Sequence, residues 1–101
     1  MSPDLSIEFV NEVLQYLREI AGPAGELHGR FGTIVGQAAH SLSHSEEKTG
    51  QAMRVLSHTG VIAGPYLVAM TSGARTEQWS LVRPGARIAL RDGYFTAVDA
   101  D

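Results

Sequence analysis

Apolar residues recur at helical spacing from the start of the chain. Leu5, Phe9, Val13, Leu17 and Ile20 form one stripe, which Val10 and Leu14 widen. Ser2 or Asp4 is expected to cap this first helix, Pro3 suits its first turn, and Gly22-Pro23 ends it. Its polar face carries Glu8, Glu12, Arg18 and Glu19 and is therefore acidic. Gly25, Gly29 and Gly32 then favour turns or extended chain, with Phe31 turned into the core and room for a short strand around residues 30–31. Thr33 is expected to cap a short second helix over residues 34–41, with Ile34, Val35, Ala38, Ala39 and Leu42 as its apolar positions.

The third helix, residues 43–59, carries the clearest signal. Ser43-His44-Ser45-Glu46 matches a capping box, in which Ser43 and Glu46 exchange side-chain to backbone hydrogen bonds. Thr49, Ala52, Met53 and Leu56 supply the buried series, and Gly60 supplies a left-handed stop. After Gly64-Pro65 the period falls to two, which signals strand. Thr71 to Arg75 reads as a hairpin tip. With Gly73-Ala74 as turn residues, Val68 faces Trp79, Tyr66 faces Leu81, and the returning strand covers residues 75–82. Asp92-Gly93 marks a second hairpin, with Ile88, Leu90, Phe95 and Ala97 on one face; a short helix after Pro84 is the alternative.

Length and charge narrow the function. The 101 residues suffice for one domain, 1–101, with one modest core. There is no cysteine, which removes disulfides, thiolate metal sites and cysteine catalysis. No apolar run approaches the roughly 20 residues of a membrane span, and the N-terminus lacks a secretory pattern, so a cytoplasmic protein with no membrane partner is expected. The net charge of −3 is unevenly spread. Residues 1–26 hold Asp4, Glu8, Glu12, Glu19 and Glu26 against Arg18. Residues 27–91 hold Arg30, Lys48, Arg54, Arg75, Arg83, Arg87 and Arg91 against Glu46, Glu47 and Glu77, a net of +4. A basic middle between acidic ends gives one face a local positive field.

The order helix, short helix, tight turn, long helix, hairpin brings a resemblance into view. Ala38-Ala39 and Leu42-Ser43, the run Lys48 to Leu56, the ending Leu56-Ser57-His58-Thr59-Gly60-Val61-Ile62 and the hairpin from Tyr66 to Leu81 resemble the winged helix-turn-helix of bacterial MarR- and ArsR-type regulators. The resemblance covers about half the chain. It implies an α+β winged helix-turn-helix of three helices, a two-stranded wing and a C-terminal hairpin or short helix. It also implies a transcriptional regulator, such as a repressor, that binds double-stranded DNA as a homodimer and needs no cofactor. The third helix would enter the major groove. Gln51 suits adenine, and Arg54 or Lys48 suits guanine. His44 joins them on the outward face, Ser43 and Ser45 suit a phosphate at the helix N-terminus, and Arg30 with Thr33 could clamp another. Arg75 and Thr76 on the wing would reach the minor groove or the backbone. Leu5, Phe9, Val13 and Leu17 on the first helix are the expected dimer surface.

Two features pull the other way. Glu46 and Glu47 oppose phosphates, and the acidic net charge suits a winged helix used for protein–protein contact without DNA. Gly36 and Gly50 each weaken a helix by about 1 kcal/mol; Gly50 permits close approach of DNA or of a neighbouring helix. His28, His40, His44 and His58 show no metal-ligand spacing, so no metal site is expected. No phosphate-binding glycine loop, G-x-S-x-G motif or carboxylate pair supports an enzyme.

Overall fold

The computed structural model describes residues 5–69, 71–83 and 85–99. Within them the chain is α+β, with three helices and two small antiparallel sheets. The order is α1 (Ile7–Ile20), β1 (Glu26–His28), α2 (Phe31–Leu42), α3 (Glu46–His58), β2 (Ile62–Ala69), β3 (Arg75–Leu81), β4 (Ala86–Arg91) and β5 (Tyr94–Asp99). One sheet has strand order β1-β3-β2, and β4 with β5 makes the other.

Helix α1 starts later than the sequence suggests. Ser6 is its cap, and Ser6 Oγ accepts from the Phe9 amide at 3.1 Å. Ser2, Pro3 and Asp4 lie outside the described residues. Phe9, Val10, Val13, Leu14 and Leu17 are buried, while Ile20 is exposed at the helix end. The expected dimer surface is therefore corrected. Phe9, Val13 and Leu17 are consumed by the chain's own core, and Leu5 packs half-buried against it. What α1 shows to solvent is the acidic row Glu8, Glu12 and Glu19.

The core is closed by the hairpin of β4 and β5. Asp92 and Gly93 both take positive φ, 52° and 81°, as a two-residue hairpin turn requires. The pairs Leu90↔Phe95 and Ile88↔Ala97 confirm the hairpin over the helix alternative, with the expected residues sharing a face. One edge of β4 lies along α1. Asn11 Nδ2 donates to the Ile88 carbonyl at 2.9 Å, and the Ile88 amide donates to Asn11 Oδ1 at 2.8 Å. Two helical turns on, Arg18 Nη2 donates to the Ala86 carbonyl. Side chains thus satisfy a strand edge that would otherwise need another strand.

The short strand before α2 lies at Glu26–His28, not at residues 30–31. Gly29, at φ 120°, ends it, and Arg30 and Phe31 open α2. Helix α2 is also longer than expected, because Thr33 sits inside it and Arg30 occupies the cap position without a side-chain cap bond. The Phe31 ring packs against Trp79 with centroids 5.4 Å apart.

The register of β2 with β3 differs from the expected one. Tyr66 opposes Gln78, Leu67 opposes Glu77, Val68 opposes Thr76 and Ala69 opposes Arg75. The irregularity between Ala63 and Tyr66 leaves Gly64 and Pro65 opposite Trp79. Trp79 is therefore free to turn into the core beside Leu27, its partner on β1. A Cβ on Gly64 would lie 3.0 Å from the Trp79 ring, and Gly64 has φ 149°, so this close approach requires glycine. The connection between the strands is correspondingly longer than a two-residue turn. Past the bulge the ribbon leaves the core, and Tyr66 (50% exposed), Leu67 (68%) and Val68 (36%) face solvent.

Candidate nucleic-acid interface

Helix α3 separates cleanly into two faces. Thr49, Gly50, Ala52, Met53 and Leu56 are buried. Glu47, Gln51, Arg54 and His58, at spacings of four, three and four, form the outward stripe, with Gln51 half-buried and the others exposed. Gln51 and Arg54 are thus available to a partner. Gly50 is turned toward α2, where a Cβ would meet Val35 Cγ1 at 3.7 Å, so its close approach is to the neighbouring helix.

The turn before α3 is built differently from a capping box at Ser43. Ser43 takes the left-handed conformation (φ 58°, ψ 43°) as the C-cap of α2, and its amide donates to the His40 carbonyl at 3.3 Å. The His44 amide donates to the Ala39 carbonyl at 3.0 Å. Ser45 is the N-cap of α3, and its Oγ accepts from the Lys48 amide at 3.1 Å. The helix accordingly begins at Glu46. Glu46 and Glu47 occupy its first turn, where carboxylates offset the positive end of the helix dipole. An arriving phosphate would meet that negative charge.

His44 and Lys48 are turned toward α1. The His44 ring lies 4.4 Å from the Phe9 ring, tilted by 58°, and Lys48 Nζ sits 4.9 Å from the Phe9 centroid. A cation over an aromatic face is held by the ring quadrupole, by about 0.5–1 kcal/mol where solvent reaches it. Both side chains cap the end of the core as well as facing outward. Thr33 is exposed on α2. Arg30 is exposed, and its Nε lies 3.6 Å from Glu77 Oε2, an ion pair that ties the start of α2 to β3. Arg75 is exposed at the root of the ribbon tip, and Thr76 beside it is half-buried opposite Val68. The sequence-derived candidates thus fall in three places: the α2–α3 turn, the outward stripe of α3 and the ribbon.

Sequence reasoning missed one concave feature on this side of the molecule. A groove of about 250 Å³ runs between the start of α2 and α3, lined by Phe31, Gly32, Val35, Glu46, Glu47, Gly50 and Arg54. Gly50 was legible as a point of close approach, but Gly32 read as a turn residue, and nothing in the sequence showed that the two share one surface. A larger hollow of about 420 Å³ lies by the Gly22–Gly25 turn, walled by Arg18 and Leu81.

Among the described residues, no three His, Asp or Glu side chains are grouped to hold a metal ion. No described helix is long and apolar enough to cross a membrane. No family model, curated protein or solved structure matches the chain.

Proposed function

We propose that the chain is a winged helix-turn-helix DNA-binding domain that acts as a cytoplasmic transcriptional regulator of the MarR/ArsR kind. The observation that carries this reading is the outward Gln51–Arg54 pair on α3, the second of two helices joined by a tight turn and followed by a projecting ribbon with Arg75 beside its tip. In this reading α3 lies in the major groove, Gln51 pairs with adenine and Arg54 with guanine, and Glu47 accepts from a cytosine amino group. Arg75 and Arg30 meet the phosphate backbone. Regulation follows from occupancy of a pseudo-palindromic site by a homodimer, formed through a surface other than the buried stripe of α1.

Titration into random-sequence duplex DNA at low and moderate salt tests the reading. Binding should weaken with salt, and fall further in a Lys48→Ala/Arg54→Ala/Arg75→Ala variant. Absence of binding at low salt would overturn it. Glu46, Glu47 and the exposed apolar ribbon of Tyr66, Leu67 and Val68 favour a second reading, a winged helix that docks on another protein.

A further inference from the structure

From the α2–α3 groove we infer a binding site for a small organic cation with an apolar body, its charged end at Glu46 and Glu47 and its apolar body directed toward Arg54. The floor is apolar: the Phe31 ring, Val35 and the backbone of Gly50. The charges are segregated. Glu46 and Glu47 stand at one end and Arg54 at the other, eight and seven residues along the same helix, or about 11–12 Å. A cation at the acidic end therefore meets two carboxylates and stays clear of the guanidinium, while its apolar part lies on the floor.

The glycines show that the space is not demanded by the chain itself. A Cβ on Gly32 would meet nothing within 4 Å, one on Gly50 would make an ordinary contact with Val35, and one on Gly36 would approach only the mobile end of Glu46, at 3.4 Å from Oε1. Alanine fits at these positions and favours helix over glycine. At Gly32 and Gly50, which line the groove, glycine keeps it open instead. A phosphate does not suit this site, because both carboxylates oppose it.

Arg54 belongs both to the groove and to the outward stripe of α3, so an occupant competes with DNA. That regulatory consequence rests on the DNA reading; the binding itself does not. The full chain, labelled with nitrogen-15, would be titrated with phenethylammonium, and with phenylacetate as its anionic counterpart. Expected are saturable shifts of the Gly32, Gly50 and Glu47 amides with phenethylammonium, weakened at least tenfold in E46Q/E47Q and by Gly50→Leu. Phenylacetate should leave these amides in place. No shift at these amides, equal response to the anion, or full binding by E46Q/E47Q would each overturn the site. E46Q/E47Q changes only exposed side chains, so it remains informative if Gly50→Leu fails to fold. Saturating phenethylammonium should also release bound duplex DNA; release by phenethylammonium but not by ammonium chloride at the same concentration supports the competition. If DNA stays bound at saturation, the regulatory role falls while the site stands. If DNA never binds, the proposed function falls and the groove shifts still decide the site.

Discussion

The side-chain amide of Asn11 on α1 pairs with both backbone groups of Ile88 on β4, accepting from its N–H at 2.8 Å and donating to its C=O at 2.9 Å. The same Nδ2 also reaches the Ile7 carbonyl at 3.1 Å, which fixes the rotamer. Asn11→Ala leaves two partly buried backbone groups without partners. The expected loss is about 1–3 kcal/mol in urea unfolding. Amide exchange at Ile88 should accelerate more than at residues of β3, and equal protection at Ile88 in the variant would show that the bridge holds nothing.

The two serines of the α2–α3 turn should respond in opposite ways. Ser45→Ala removes the cap of α3 and is expected to cost about 1 kcal/mol. Ser43→Gly relieves a left-handed non-glycine residue and should stabilise by about 0.5–1 kcal/mol. Thermal melts of the two variants decide this, and a stabilised Ser45→Ala would contradict the cap assignment.

Glycines also divide by position. Gly50→Ala should raise stability by roughly 0.5–1 kcal/mol, since the new methyl group fits against Val35. Gly64→Ala should lower it by about 2 kcal/mol or more, because φ 149° and the Trp79 ring both reject a Cβ. Trp79 fluorescence during denaturant unfolding reads both variants in one experiment.

The sequence made some of these features legible and hid others. The buried positions of α3 were readable because a 3.6-residue repeat needs only local information, and Thr49, Ala52, Met53 and Leu56 all lie inside. The Asp92-Gly93 hairpin was readable because a two-residue turn demands particular φ values. The cap of α3 was not, because Ser43 and Ser45 are both good caps and the geometry of the preceding turn chooses between them. The ribbon register depended on β1, which lies on the far side of β3 and pulls Trp79 inward opposite a bulge. The apolar stripe of α1 was correctly placed except at Ile20, which is exposed, but a stripe cannot say whether its own chain or a partner covers it. The chain's own α3 and β4 do so.

If α3 binds DNA as proposed, its residues should not contribute equally. Arg54→Ala and Gln51→Ala are each expected to weaken binding to a selected site on the order of tenfold. Lys48→Ala should change it by about threefold or less, as one phosphate contact would, because its ammonium group is already held over Phe9. Anisotropy titrations at fixed salt compare them. A larger loss at Lys48 than at Arg54 would move the interface toward α1.

Thr49 offers a test of the core. Its side chain is fully buried and its hydroxyl finds no hydrogen-bond partner. Thr49→Val should therefore raise stability by about 1 kcal/mol. A destabilised variant in calorimetry would mean that the hydroxyl is satisfied in solution.

The bridge between Asn11 and Ile88 spans 77 positions of sequence. During synthesis α1 is made before β4, and the part of its apolar face that α3 does not cover must wait for that strand. Until then that face is open to premature association. The domain therefore completes itself late, and a chain interrupted after Val82 would present an unfinished α1 to chaperones and proteases rather than a smaller version of the same fold.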